Sequence, residues 1–290
     1  MSNSRIDHLL IWAVRGLALI SGAIVILIVG FLLLEAIPAM KRIGFLRFFT
    51  DRSWHPTLDP HHGGGYNLSP MLVGSLVSMT GAIIVATPLG ILSALFCHYY
   101  APVYVAGAYH RIIELLAGIP SVVYGFWGLV TLVPLIRRLE PPGPSLLAGI
   151  IILTIMILPT VALLTDATLA NIPRSYLLSA ASLGLSRWAT LRAAVIPLAK
   201  SGVYTATILA AGRAIGETMA ILMVCGNIVQ VPQSLYDPIR TLTSNIALEM
   251  AYATGDHRSS LFVSGLLLTL IVMALVFSAE LITTGKVHES

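Results

Sequence analysis

The sequence predicts an all-α integral membrane protein with six transmembrane helices, and three observations predict it. Hydrophobic residues make up 57% of the 290 and charged residues only 10%, whereas soluble domains carry about 25% charged residues. The mean hydropathy is +0.88. The apolar residues gather into six runs, each long enough for the roughly 20 residues that cross a hydrocarbon layer. No alternating strand pattern accompanies them, which excludes a β-barrel.

The first run, residues 9–36, exceeds the roughly 7–15 residues of a signal-peptide core and reads as a retained helix. A polar loop follows to residue 69, containing FLRFFTDRSWHPTLDPHHGGGYN. His55, His61 and His62 are metal-ligand types, but no acidic or cysteine partner stands at ligand spacing, so a hydrated turn is expected. The remaining runs are residues 70–97, 112–136, 145–169, 194–228 and 261–282. Pro88, Pro120, Pro134 and Pro159 fall inside them as expected kinks or breaks. Freed backbone groups at such depth are tolerated where protein or a wet cavity satisfies them, so these helices surround a path better than they serve as an anchor. Between the last two runs, IRTLTSNIALEMAYATGDHRSS predicts a short surface helix over residues 246–253. The organisation expected is residues 1–69 as first helix plus external loop, 70–284 as the main membrane domain, and 285–290 as a tail.

Charge and cysteines exclude several classes. The net charge of +4 comes from 17 scattered basic residues, with no basic stripe or interleaved aromatics to bind nucleic acid. Cys97 and Cys225 sit in apolar runs without a CxxC or Cys/His partner, and read as small buried hydrophobes. Basic residues divide eight against eight between the two faces, so the positive-inside rule does not orient the chain.

The stretch IPRSYLLSAASLGLSRWATLRAAVIPLAKSG, residues 172–202, supplies the missing handle, with the loop itself expected at about 171–197. Pro173 is a helix-start signal, Gly184 lies mid-loop, and Pro197 follows Ile196 thirteen residues later. Ser179, Ala180, Gly184 and Pro197 resemble the EAA loop of ABC-importer permease subunits, with Leu178 where that loop usually has glutamate. IELLAGIPSVVYGFWGL and GRAIGETMA, the latter followed by Gly226-Asn227, resemble the PstC-type permeases of bacterial phosphate importers. The PstA-type partner usually continues with Ala-Pro, and sulfate and molybdate permeases tend to read GE-Phe-Gly.

The resemblance implies a type I ABC importer permease core with an extra N-terminal helix and a cytoplasmic coupling helix that docks on an ATPase. It places the chain in the bacterial cytoplasmic membrane with its N-terminus inside. Implied partners are a PstA-type second permease subunit, a homodimeric PstB-type ATPase, an external PstS-type phosphate-binding protein, inorganic phosphate and membrane lipid. No cofactor is expected on this chain. It has no GxxxxGK[ST] loop, so ATP and magnesium belong to the ATPase and the chain is a transport subunit rather than an enzyme.

Within GRAIGETMA, Arg213 and Glu217 are four residues apart, so they are expected to lie on one helix face and touch. Arg213 lies thirteen residues past Lys200, about 20 Å deeper along a helix. A charge there costs on the order of 2.5–3.5 kcal/mol, so it must face the bundle interior or a wet cavity. A guanidinium fork matches two phosphate oxygens. Glu217 can hold the fork while the site is empty, or accept the proton of hydrogen phosphate, which sulfate lacks. The competing expectation is an ion pair that only fixes helix register. Thr218 offers a hydroxyl either to an anion or to its own helix. Gly212 and Gly216 make a small-xxx-small face, expected to meet the second permease subunit. In GIPSVVYG, Ser121 and Tyr124 are donors beside a loosened helix, with close packing around a kink as the alternative. Asp166 and Glu280 near span ends receive no role.

A permease for another oxyanion (sulfate, molybdate, phosphonate) is the alternative within the class. A self-contained secondary transporter would show internal repeats and midplane carboxylates, of which only Glu217 qualifies. An intramembrane hydrolase would show HExxH or GxSxG, and neither occurs.

Overall fold

The computed structural model describes residues 3–56 and 65–284. His61 and His62 lie outside them. Thirteen α-helices are described: α1 Asn3–Ala39, α2 Arg47–Thr50, α3 Ser69–Tyr99, α4 Val103–Gly118, α5 Ser121–Trp127, α6 Val133–Leu139, α7 Leu146–Ala170, α8 Arg174–Ser182, α9 Arg187–Thr190, α10 Ile196–Ile215, α11 Met219–Val224, α12 Leu242–Glu249 and α13 Gly255–Thr284. No strand occurs among the described residues beyond two isolated bridges, Trp54–Tyr66 and Gly226–Ile239. Six helical segments are long and apolar enough to cross a membrane: Leu10–Gly44, Ser69–Tyr99, Ser121–Leu139, Leu146–Ala170, Arg187–Ile215 and Gly255–Leu281.

The prolines act in three ways. Pro88 and Pro159 are absorbed inside the continuous helices α3 and α7. Pro134 and Pro197 each follow a five-residue π-helical turn, Gly128–Leu132 and Leu191–Val195. A proline leaves one carbonyl a turn earlier without its donor, and a π-turn is one way a helix accommodates that mismatch. Pro120 alone breaks its helix. Ile119 and Pro120 are extended between α4 and α5, with ψ of 128° and 141°. The expected single helix over residues 112–136 is therefore two, because a proline disfavours helical backbone in the residue before it.

The chain divides into two compact units. The smaller comprises Met1–Asn67 and Glu249–Thr269. Within it α1 is exposed along most of its length. The stretch from α2 to Tyr66 folds back on itself: Asp51 accepts hydrogen bonds from Arg47 Nε and the Tyr66 amide. His55 is engaged locally with Ser53, at 3.0 Å. Glu249 is buried and binds two partners at 2.9 Å, Trp54 Nε1 and His257 Nε2. A buried carboxylate without such partners would be costly, so this contact pins the loop after α2 to the start of α13.

The larger unit, Leu68–Leu248 and Leu270–Ser290, is built around α7. Ile152, Leu153, Met156, Ile157 and Val161 are all almost fully buried. In lipid there is no water to drive helices together, so close approach through small residues carries the packing. A Cβ on Gly81 would meet Ile150, and one on Gly90 would meet Val161. Cys225 is buried with its sulfur against Gly149.

The short helix expected over residues 246–253 is α12, beginning four residues earlier. Thr241 caps it by accepting from the Ser244 amide, and Ser75 of α3 accepts from the Leu242 amide.

Candidate functional site

The expected fifth span, residues 194–228, is also interrupted. α10 ends at Ile215, and the Gly216 and Glu217 amides make long last-turn bonds of 3.3 Å to the Gly212 and Ala214 carbonyls. α11 starts at Met219. Gly216 is a poor helix former, and Glu217 turns forward to accept from the Ala220 amide at 3.1 Å, satisfying one orphan donor of α11. Thr243 on α12 holds the break from outside, donating to the Glu217 carbonyl at 2.9 Å.

This geometry corrects the expected contact between Arg213 and Glu217. The four-residue rule needs a continuous helix, and the helix ends between them. Glu217 is a cap. Arg213 is exposed, and its hydrogen bond goes to Thr160 Oγ1 on α7 at 3.3 Å. Among the described residues no carboxylate pairs with it.

The two breaks lie at one level. A Cβ on Gly125 would stand 2.8 Å from Ala220 Cα, and one on Gly128 would stand 2.9 Å from Val224. These pairings make α5 and α11 run parallel and in contact, which sets Ser121, the first residue of α5, level with Gly216. Tyr124 closes the first break by donating to the Leu116 carbonyl at 2.8 Å, and its phenol lies within electrostatic range of Arg213. An apolar cavity of about 380 Å³ opens beside it, lined by Ile119, Val123, Tyr124, Trp127 and Ile155. Ser121 is half-buried, and Thr218 donates to the Gly216 carbonyl at 3.3 Å. The structure thus gathers Ser121, Tyr124, Arg213, Glu217 and Thr218 around two broken helices, and among the described residues Arg213 has no acid partner.

Gly212 and Gly216 behave differently from the other packed glycines. A Cβ on Gly212 would meet nothing within 4 Å, and one on Gly216 would meet only its own helix. This face is open within the chain. The residues that sequence reasoning missed are Thr160, Thr243 and the Gly125–Ala220 contact. The spacing of Gly125 and Gly128 beside Pro120 was a usable signal for the last of these; the two threonines carried none.

Residues 171–197 form the expected helix–glycine–helix. Pro173 precedes α8, which ends in a Schellman arrangement: Leu185 N bonds to Ala180 O at 3.1 Å and Gly184 N to Ala181 O at 3.0 Å. Gly184 has φ +69°, the left-handed conformation this motif asks of its glycine. Ala180 is buried, Ser179 exposed with its carbonyl accepting from Ser182 Oγ, and Pro197 exposed at the start of α10. Leu177 and Tyr99 pack on a core of Ala94, Leu169, Leu191, Val195 and Ala199. Leu178, Leu183 and Trp188 remain 70%, 77% and 65% exposed, an apolar surface turned away from that core.

Comparison with known proteins agrees with this architecture. The chain is 38% identical over 235 residues to the probable ABC transporter permease protein YqgH of Bacillus subtilis, covering 80% of this chain and 75% of that one. It is 34% identical over 264 residues to the phosphate transport system permease protein PstC of Mesorhizobium japonicum, covering 83% and 79%. A bacterial alginate ABC transporter, solved with a pentasaccharide-bound periplasmic protein, superposes with a TM-score of 0.64 over 96% of each chain at 14% identity, a likeness of fold. Six apolar spans, paired helix breaks and a loop built as a helix stopped by glycine are thus joined by a match over residues 86–284, and the chain belongs to the family of binding-protein-dependent transport system inner membrane components.

Proposed function

We propose that this chain is one of two permease subunits of an ATP-driven importer of inorganic phosphate. The observation that carries the proposal is Arg213: a guanidinium without an acid partner, at the broken end of an apolar helix, beside a second broken helix. Half-helices meeting at mid-membrane are where transporters bind polar cargo. The relatives named as phosphate permeases support phosphate as that cargo.

In this reading Arg213 grips two phosphate oxygens through its fork, a charge-assisted contact that a lysine would not reproduce. Ser121 offers a hydroxyl at the same level. One oxygen of Glu217 is held by the Ala220 amide, and the other accepts the proton of hydrogen phosphate. Sulfate brings no proton to that oxygen and meets an unscreened negative charge. The open face at Gly212 and Gly216 receives the second permease subunit, which completes the path.

Energy comes from a separate homodimeric ATPase, where ATP and magnesium are bound, through Leu178, Leu183 and Trp188 of the coupling loop. An external binding protein delivers phosphate on the opposite face. The N-terminus and residues 171–197 are cytoplasmic, and ATP-driven movement of the loop alternates access to the site.

The test is reconstitution of the chain with its partners in proteoliposomes, comparing uptake of labelled phosphate and sulfate. Phosphate is expected to enter only with ATP and binding protein, and at least tenfold faster than sulfate, about the discrimination one charge-assisted hydrogen bond supplies. Equal uptake of both anions, or uptake without ATP, would overturn it.

A further inference from the structure

Behind the coupling loop lies a second cavity, of about 360 Å³, remote in sequence from the broken helices. Its walls include His98 and Tyr99 at the end of α3, and Leu177, Leu185, Arg187 and Thr190 of the loop. Two features give it chemistry. Arg187 has no carboxylate partner among the described residues. His98 is held through Nδ1 by Asp166 Oδ1 at 3.2 Å, which leaves Nε2 as the nitrogen for another partner.

Asp166 is itself shared. Its second oxygen stands 3.8 Å from His110 Nε2 on α4, so the carboxylate ties α3, α4 and α7 together, and it is not among the cavity's walls. Among the described residues no acid lines the cavity. A guanidinium and an imidazole, set in a pocket otherwise walled by leucine, alanine, threonine and the Tyr99 side chain, suit a multivalent oxyanion.

We propose that this cavity is a binding site for a phosphoryl oxyanion, held by Arg187 and His98. Inorganic phosphate and the phosphodiester of an anionic lipid headgroup share that chemistry. An anion there bridges the end of α3 to the loop through Arg187 and so restrains the loop. Binding stands on the cavity alone; an effect on ATP coupling rests also on the reading of residues 171–197 as the ATPase-docking loop.

The experiment places a cysteine on the cavity wall, Leu185→Cys, in the assembled complex in nanodiscs. The native Cys97 and Cys225 are buried. Maleimide labelling is followed in neutral phosphatidylcholine against rising inorganic phosphate, with chloride at matched ionic strength as control. A second arm uses phosphatidylglycerol discs without phosphate. Labelling is expected to slow saturably, by about tenfold at ten times the half-protecting concentration. Protection by phosphate in neutral discs identifies the free anion; protection in phosphatidylglycerol alone identifies the headgroup. Arg187→Ala should raise the half-protecting concentration about tenfold or more. Arg213→Gln should leave protection unchanged, so that failure of the transport site and of this site are told apart. Independently of the cysteine, complex lacking the external binding protein should lose one labelled-phosphate site per chain on Arg187→Ala if the free anion is the ligand. Labelling indifferent to both phosphate and anionic lipid, equal protection by chloride, or undiminished protection in Arg187→Ala overturns the proposal.

Discussion

Gly125 and Gly128 on one helix and Gly212 and Gly216 on another look alike in sequence, small residues three or four apart in apolar runs. Their surroundings differ. The first pair is filled: a Cβ at either position would run into α11, or into α7, at under 3 Å. The second pair has no neighbour from another element within 4 Å. The first seam holds the two broken helices together inside the chain. The second, with Arg213 between its glycines, is a face that the chain builds and leaves uncovered. We propose that this open small-residue face, next to Arg213, is where a second permease subunit completes the path.

The largest effect expected from breaking this contrast is at Gly125. Gly125→Leu forces a side chain against the Ala220 backbone, and overpacking of this kind costs about 1–3 kcal/mol or more; thermal unfolding of the purified chain in detergent should show it, with loss of uptake. Next is Gly184, whose need is conformational rather than spatial, since nothing lies within 4 Å of it. Gly184→Val puts a β-branched residue at φ +69° and should cost about 1–2 kcal/mol, read as reduced ATPase co-purification, whereas Gly184→Asn should be milder. Tyr124→Phe removes the bond to the Leu116 carbonyl and should cost about 1 kcal/mol, seen as faster hydrogen exchange in the last turn of α4. The smallest effect on the chain itself is at Gly212. Gly212→Leu should change its stability by less than about 0.5 kcal/mol while reducing co-purification of the second permease subunit. A large loss of stability there would mean that the face is not open.

Much of this was legible from residue chemistry. Six spans follow from apolar length alone, and the Pro120 break from a ring that fixes φ and restricts its neighbour. The end of α8 follows from a helix-start proline and a glycine at the left-handed position. The break at residues 216–218 was hidden because GRAIGE reads as one helical face; only the forward turn of Glu217 onto the Ala220 amide and the hold from Thr243 end α10 there. α12 was displaced in the sequence reading because its cap depends on Ser75, far away in the chain. Thr160 as the partner of Arg213 had no local signal at all, since tertiary packing chooses it. What could be read were the residue types at the site. Which of them touch could not, because contact there depends on where a helix stops.

The central claim is that Arg213 serves a passing anion rather than the fold. Its most direct test is Arg213→Gln in the reconstituted complex, with phosphate uptake and ATP hydrolysis measured on the same vesicles. The account predicts uptake reduced by at least about a hundredfold, the loss of a charge-assisted bidentate contact, with ATP hydrolysis and assembly retained. Uptake near the unmutated rate, or a complex that fails to assemble and hydrolyse ATP, would contradict it.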